Sequence, residues 1–135
     1  MYSLFVDRSQ KVLQVRISGV LTEQVMAEID AGVRTFLRAE GPHRRIMDLS
    51  AVSELDVPMA MLENRARHVP VSPEVTPARA YIAPTPYLFA MCRMFTSYQA
   101  ACGAPPTEVF RTFDEACAWL RIRWPDLQPV ESIAA

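Results

Sequence analysis

The chain has 135 residues, half of them hydrophobic, and its 14 lysines and arginines nearly balance 15 aspartates and glutamates. That length and apolar content predict one domain with a single core that folds without disulfides or metal ions. A net charge of -1 argues against nucleic acid as a partner, because nucleic-acid-binding domains usually carry a basic face.

Three widely spaced cysteines, with no Cys-x-x-Cys pair, indicate reduced thiols and argue against a zinc or redox site. No apolar run approaches the ~20 residues that cross a bilayer. The first residues lack the charged segment and long apolar stretch of a secretory signal. We therefore expect a cytoplasmic protein without a transmembrane segment.

The chain opens with an apolar run over residues 2–6, a polar turn over 7–10 and an alternating stretch over 11–18, which together predict a β-hairpin. Thr22 is a good N-cap for the following helix, which should end near Gly41. Apolar residues at spacings of three and four predict that this helix packs on a sheet; they are Val25, Met26, Ile29, Val33, Phe36 and Leu37.

The next apolar run predicts a strand buried on both faces, centred on Ile46 and Met47. Asp48 and Ser50 lie where this strand is expected to give way to a polar, acidic loop that continues to Asp56. In open α/β sheets, ligand sites gather at the carboxyl ends of strands.

The second half of the chain continues the alternation of helices and strands. Val57-Pro58 suits a helix start, and Met59, Met61, Leu62, Ala66 and Val69 should face the core, with prolines 70, 73 and 77 closing the helix. A strand over 78–83, a helix over 87–101, a strand over 107–110 and a helix capped by Thr112 follow.

The predicted order is therefore ββαβαβαβα. It indicates an α/β fold with a mostly parallel five-stranded sheet and an antiparallel edge from the hairpin. Residues 1–125 should form the domain and residues 126–135 a tail. In the last helix, Trp119 should be largely buried against Phe110.

Three motifs resemble one superfamily. The run from Ile46 to Asp56, IMDLSAVSELD, resembles the hydrophobic-DLSGV-x-x-x-D signature of STAS domains, the anti-sigma-factor-antagonist superfamily. Gly19-Val20-Leu21-Thr22 resembles its strand-to-helix turn, and the segment from Val109 to Leu120 is similar to the close of SpoIIAA-like proteins. The resemblance implies a SpoIIAA-like fold and a non-catalytic module that binds a protein partner or itself.

The match departs from the family at one residue. In STAS antagonists the aspartate is followed by a serine that a partner kinase phosphorylates, which adds nearly two negative charges. Here Asp56 is followed by Val57, which has no hydroxyl group. The resemblance is therefore closer to the uncharacterised SpoIIAA-like proteins than to the phospho-switched antagonists.

The acidic stretch has two interpretations. The polar residues of this stretch either form a polar pocket or cation site, or make hydrogen bonds to the backbone nearby. They are Asp48, Ser50, Ser53, Glu54 and Asp56. In the second interpretation, which we favour, Asp48 and Ser50 bond nearby amides and Asp56 caps the next helix.

The two histidines lie beside arginines, His43 before Arg44 and Arg45, and His68 after the run from Arg65 to Arg67. If the fold brings the two segments together, they form an anion-binding face. The alternative, which we favour, is that the histidines are solvated at a loop and at a helix end.

The helix over 87–101 carries more large apolar side chains than one face requires: Tyr87, Leu88, Phe89, Met91, Met94, Phe95 and Tyr98. Core packing explains most of them. Phe89 and Met94 fall away from a Tyr87–Met91–Phe95–Tyr98 stripe, which favours a homodimer interface. A pocket for a hydrophobic ligand or lipid is the alternative, as in the lipid-carrying CRAL-TRIO domains of similar architecture.

The sequence thus predicts no catalytic, cofactor or metal site. It predicts a protein-interaction or regulatory module without a phospho-switch, or alternatively a small hydrophobic-ligand or lipid-binding module. The candidate partner- or ligand-binding residues are Asp48, Ser50, Asp56, Val57, Met59, Tyr87, Phe89 and Met94.

Overall fold

The computed structural model describes residues 1–68 and 77–131. The strands are β1 (Tyr2–Asp7), β2 (Val12–Thr22), β3 (Arg44–Asp56), β4 (Arg79–Ile82), β5 (Thr107–Phe110) and β6 (Gln128–Pro129). The helices are α1 (Glu23–Glu40), α2 (Met59–Arg67), α3 (Pro86–Ala101) and α4 (Phe113–Leu120). The predictions for Val69, Pro70 and Pro73 lie outside the described residues.

The sheet has the strand order β5-β4-β3-β2-β1-β6. Strands β2 to β5 pair in parallel, while β1 pairs antiparallel with β2, so the predicted parallel sheet with an antiparallel edge is confirmed. A sixth strand that the sequence did not predict pairs antiparallel with β1. It has only two residues, too few to show a hydrophobic alternation, and it lies within the segment expected to be a tail.

The strand order determines where the helices lie. Each parallel connection steps to the next strand in the same direction, and right-handed crossovers then place α1, α2 and α3 on one face of the sheet. The larger core forms on that face between the sheet, α1 and α3. On the opposite face a smaller core forms under α4, with Ile46 and Ala80 from the sheet and Leu120 from the helix.

The polar stretch after Ser50 is a strand, so the prediction of a loop there was wrong. β3 continues to Asp56 because β2 runs beside it and pairs with it as far as Thr22, across two irregularities in register. Gly19, at φ +75°, lies at one of them and adopts a backbone conformation that glycine tolerates without strain. The pairing with β2 provides hydrogen-bond partners for the backbone of this segment. Its polar side chains, such as Ser53, stay exposed.

The predicted caps of α1 and α4 are confirmed. Thr22 Oγ1 accepts a hydrogen bond from the Val25 amide at 3.2 Å, and α1 ends at Gly41, which has φ +85°. Thr112 Oγ1 accepts from the Glu115 amide, also at 3.2 Å. These hydroxyl caps supply partners for amides that the first turn leaves unpaired.

Trp119 contacts Phe110 as predicted, with ring centroids 5.8 Å apart. It is half-buried, however, so the expectation of a largely buried ring was wrong. The physical reason is that the core on this face has only α4 above the sheet, and no second helix covers the outer side of the ring in the described part of the chain.

Asp7 ties the hairpin turn to the C-terminal segment. Its carboxylate accepts hydrogen bonds from Ser9 Oγ at 2.8 Å and from Gln10 Nε2 at 2.9 Å, and also from the Asp126 amide at 3.1 Å. The last bond brings the chain back to β1, two residues before β6 begins. These bonds, chiefly that from the Gln10 side chain, hold the pKa of Asp7 well below its ordinary value, although burial opposes them.

We predict that Asp7→Asn lowers the free energy of unfolding by about 1–3 kcal/mol at neutral pH, because the amide cannot accept all these bonds. The pKa of Asp7 is lowered on folding, so its contribution is complete above the unfolded value of 3.8 and is lost as the pH falls below it. Urea unfolding of the wild type and of Asp7→Asn over a pH series measures the two free energies of unfolding.

The stability difference between wild type and variant should therefore shrink below pH 3.8. Asp56→Asn, a change at an exposed aspartate at the end of β3, is the matched control and should have little effect. A difference of the same size at every pH would contradict the role given to the Asp7 carboxylate.

Candidate functional site

A cavity of about 590 Å³ lies between the sheet and the layer formed by α1, α2 and α3. Pockets that take small molecules usually have volumes of about 300–1,000 Å³ and mostly apolar walls. Apolar side chains from all three helices and from the sheet line this cavity; they include Ile17, Met26, Val33, Met47, Leu62 and Phe95.

One end of the cavity is built from two buried arginines. Arg45 and Arg79 are direct neighbours in the parallel pairing of β3 with β4, and both line the cavity. Successive residues of a strand point to opposite faces, so Ile46 and Ala80 instead pack under α4. Only 7% of Arg45 and 3% of Arg79 is exposed.

Arg79 is hydrogen-bonded to neutral partners. Its Nη2 donates to Gln99 Oε1 at 3.0 Å and its Nε donates to Thr107 Oγ1 at 3.1 Å. These bonds fix the position of the guanidinium group, but they bring no negative charge to it.

Arg45 is the less satisfied of the two. Its buried Nε has no hydrogen-bond partner among the residues that the structure describes. Burial, together with the charge of the neighbouring Arg79, lowers the pKa of Arg45 to about 10, against the opposing influence of Tyr81 and Asp30. The side chain is therefore still protonated at neutral pH, so a positive charge is buried at this end of the cavity.

Further cations surround this end. Arg34 and Arg38 of α1 and Arg65 of α2 also line the cavity, together with His68. Arg65 forms an ion pair with Asp30, which joins α2 to α1. The lining contains five arginines against the two carboxylates of Glu23 and Asp30, so its charge is positive.

The arginines lie at the amino ends of β3 and β4, not at the carboxyl ends, where one interpretation of the acidic stretch put a polar pocket or cation site. The rule for carboxyl ends applies to doubly wound sheets, in which the strand order reverses and opens a crevice. Here the parallel strands β2 to β5 all step in one direction, and the cavity instead lies under the layer of three helices.

The predicted candidates of β3 lie outside this cavity. Asp48 is half-buried and accepts hydrogen bonds from Gln14 Nε2 at 3.1 Å and from the Ser50 amide at 2.9 Å, which is the backbone role that we favoured for it. Ser50 is exposed. Asp56 does not cap α2, so that expectation was wrong: Pro58 is the N-cap residue and no side chain bonds there.

Val57 lies between β3 and the start of α2, at the position predicted from the resemblance, and it is half-buried. Met59 is 46% exposed. Neither residue lines the cavity.

The buried stripe of α3 is not the predicted one. Leu88, Cys92, Thr96 and Gln99 are its buried residues, so the predicted stripe was displaced by one position. The error arose because a helix that is apolar on several faces fits more than one stripe at spacings of three and four.

The displacement changes the roles of the predicted residues of α3. Phe89 packs against the larger core, with the Arg111 guanidinium carbon 4.8 Å from its ring centroid, so it does not fall away from the core as expected. Met94 is half-buried and Tyr87 is 61% exposed. The homodimer through this helix stays a prediction.

The histidine segments do come together in part. Arg45 from one segment and Arg65 and His68 from the other line the same cavity. His43 is not solvated as expected, because its ring packs edge-on against Phe36 at 4.9 Å between centroids and its Nδ1 lies 2.9 Å from the Gly41 carbonyl oxygen. His68 is exposed at the C-cap of α2, as the favoured interpretation expected. Anion binding by the shared basic face stays a prediction.

No protein-family model matches the chain, and no curated protein is similar enough to it in sequence to count as a relative. Two solved structures share its architecture. The first is an uncharacterized protein of the DUF3478 family with a SpoIIAA-like fold from Shewanella loihica PV-4, at 14% identity and a TM-score of 0.59, covering 89% of this chain and 92% of that one.

The second is the anti-sigma factor antagonist SpoIIAA in its unphosphorylated form, at 17% identity and a TM-score of 0.55, covering 90% of this chain and 98% of that one. The chain has the SpoIIAA-like fold. The fold predicted from the three sequence motifs is confirmed. In this version of the SpoIIAA-like fold, the cavity lies between the sheet and the layer of three helices.

The described residues give little support for other kinds of site. Within residues 1–68 and 77–131, no group of three or more His, Cys, Asp or Glu side chains is placed to hold a metal ion, and no helix there is long and apolar enough to cross a membrane. Burial raises the pKa of the Cys92 thiol, which borders the cavity, to about 12. That thiol is protonated at neutral pH and is a poor nucleophile.

Proposed function

We propose that this chain is a non-catalytic binding module that holds a small hydrophobic molecule between its sheet and the layer formed by α1, α2 and α3. The observation that carries the proposal is the cavity of about 590 Å³ with apolar walls from every element around it. Of the two functions that the sequence suggested, ligand binding is the one that this geometry supports better.

The size of the cavity is the first argument. Protein interiors pack as densely as organic crystals, and voids larger than a water molecule are few. A space of this volume forfeits contacts that the surrounding side chains would otherwise make. A bound apolar molecule would restore those contacts, so the stability of the helical layer and the occupancy of the cavity should be linked.

The composition of the walls is the second argument. Met26, Met47 and Met91 line the cavity from α1, β3 and α3. Methionine is unbranched and polarizable, and it adapts its shape to irregular apolar surfaces. Such walls suit a hydrocarbon chain or ring system better than a polar substrate.

We predict that a neutral fluorescent probe, N-phenylnaphthylamine, binds the wild-type protein and becomes more fluorescent in the apolar cavity. Met26→Trp should weaken this binding by about tenfold, because the larger ring occupies the space that the probe would fill. Fluorescence titration measures both dissociation constants.

Met59→Trp is the matched control, since Met59 is 46% exposed on α2 and does not line the cavity. It should bind the probe as the wild type does. If the wild type takes up no probe, or if Met26→Trp and Met59→Trp behave alike, the proposed function is wrong.

A second candidate function is a regulatory interaction with another protein or with a second copy of the chain. The observation that favours it is the exposure of two large apolar side chains, Met59 at the start of α2 and Tyr87 at the start of α3. Exposed apolar side chains that gather into a patch often mark an interaction site. The absence of a hydroxyl at Val57 means that phosphorylation at this position could not control such an interaction.

For this second candidate we predict a homodimer at tens of micromolar that Tyr87→Glu dissociates, because the charge would be desolvated in the interface. Light scattering of the two proteins provides the test. Trp124→Glu, a change at another exposed apolar side chain, outside α3, is the control. A wild type that is monomeric would exclude self-association through α3.

A further inference from the structure

Among residues 1–68 and 77–131, no group pairs with the buried Nε of Arg45. The residue is 7% exposed. Of the two residues paired with it on the neighbouring strands, one is another arginine, Arg79. A buried charge is costly unless it is paired and hydrogen-bonded. Proteins usually satisfy such a group with a carboxylate, yet the side-chain hydrogen bonds of Arg79 within the described residues go to the neutral side chains of Gln99 and Thr107.

The two guanidinium groups are suited to a ligand that carries negative charge. Neighbouring strands lie ~4.8 Å apart, so Arg45 and Arg79, paired in register, present their side chains to the same part of the cavity. A guanidinium group forms two parallel hydrogen bonds with a carboxylate or phosphate, and such charge-assisted bonds are about twice as strong as neutral ones.

From this we infer that the ligand is an amphipathic organic anion, with a carboxylate or phosphate group bound by Arg45 and Arg79 and a hydrocarbon body in the rest of the cavity. The inference rests on the proposed function, because it concerns the same cavity. It adds the chemical class of the ligand and the residues that recognise it.

The distribution of charge along the cavity supports an orientation for this ligand. The cations belong to the first residues of β3 and β4 and to the last turns of α1 and α2, where Arg38 and Arg65 lie. The opposite end, toward the carboxyl ends of the strands, has the apolar side chains of Leu21, Leu55 and Leu88. The anionic group would therefore lie at the amino ends of the strands and the hydrocarbon would point toward the start of α3.

The test compares ligands that differ in one feature at a time. Decanoate, decyl phosphate and decanol share a hydrocarbon chain and differ in head group, while acetate and inorganic phosphate carry the anion without the chain. Competition with N-phenylnaphthylamine gives the affinity of the first three, and isothermal titration calorimetry gives that of the last two. We expect decanoate or decyl phosphate to bind wild type about tenfold more tightly than decanol, and the small anions to bind far more weakly.

The matched variants assign the preference to Arg45. Arg45→Met should lose the preference for the anion while binding decanol as the wild type does, and Arg45→Lys should keep part of it because the charge remains without the planar fork. Arg123→Met removes the same charge at an exposed position outside the cavity and should leave the preference intact.

The results distinguish a failure of the inferred ligand class from a failure of the proposed function. Equal binding of decanol and decanoate, unchanged in Arg45→Met, would overturn the anionic class while leaving the proposed function standing. Acetate or phosphate binding as tightly as decanoate would overturn the amphipathic class. If none of the three decyl compounds displaces the probe, both this inference and the proposed function fail.

Discussion

The guanidinium group of Arg45 is the constraint on which the arrangement of this cavity depends. Transferring a cation from water to a protein interior costs several kcal/mol even after the surroundings relax. Burial lowers the pKa of Arg45 only to about 10, so the side chain does not escape that cost by losing its proton at neutral pH. The neighbouring Arg79 adds repulsion, and the bonds that hold Arg79 in place prevent it from moving away.

The position of this charge follows from the topology of the sheet. Because strands β2 to β5 follow one another in sequence order, α1, α2 and α3 all cover the same face. The cavity lies between this layer and the sheet. The Arg65–Asp30 ion pair holds α2 to α1, and Tyr98 Oη donates to Glu63 Oε1 at 3.4 Å between α3 and α2. Arg45 and Arg79 lie beneath this layer because strand alternation directs them toward it.

The sequence predicted the fold well because its signals are local. Thr22 and Thr112 cap their helices, Gly41 ends α1, and the apolar run around Ile46 forms the central strand. The elements that were missed have weak local signals. The end of β3 is polar and is held as a strand by the length of β2, and β6 depends on a hydrogen bond to Asp7 from a residue 119 positions away.

The cavity could not have been predicted in the same way, because it depends on the relative positions of α1, α2 and α3. One signal was available. Arg45 precedes Met47 by two residues, so strand alternation alone places the arginine on the same buried face. We instead grouped Arg44 and Arg45 with His43 as part of a possible anion-binding face. Asp48, the nearest carboxylate in sequence, lies on the opposite face, where it bonds to Gln14.

The stability of Arg45→Met, measured without added ligand on protein refolded from denaturant, tests the central claim most directly. If the charge of Arg45 is uncompensated without a ligand, the variant should have a free energy of unfolding about 1–4 kcal/mol above that of the wild type. Arg44→Met, at the adjacent residue, should instead lower it, since Arg44 donates hydrogen bonds to the Leu120 and Gln10 carbonyl oxygens at 2.8 and 2.6 Å. An Arg45→Met protein less stable than the wild type would show that the charge is already compensated within the fold, and would contradict the account.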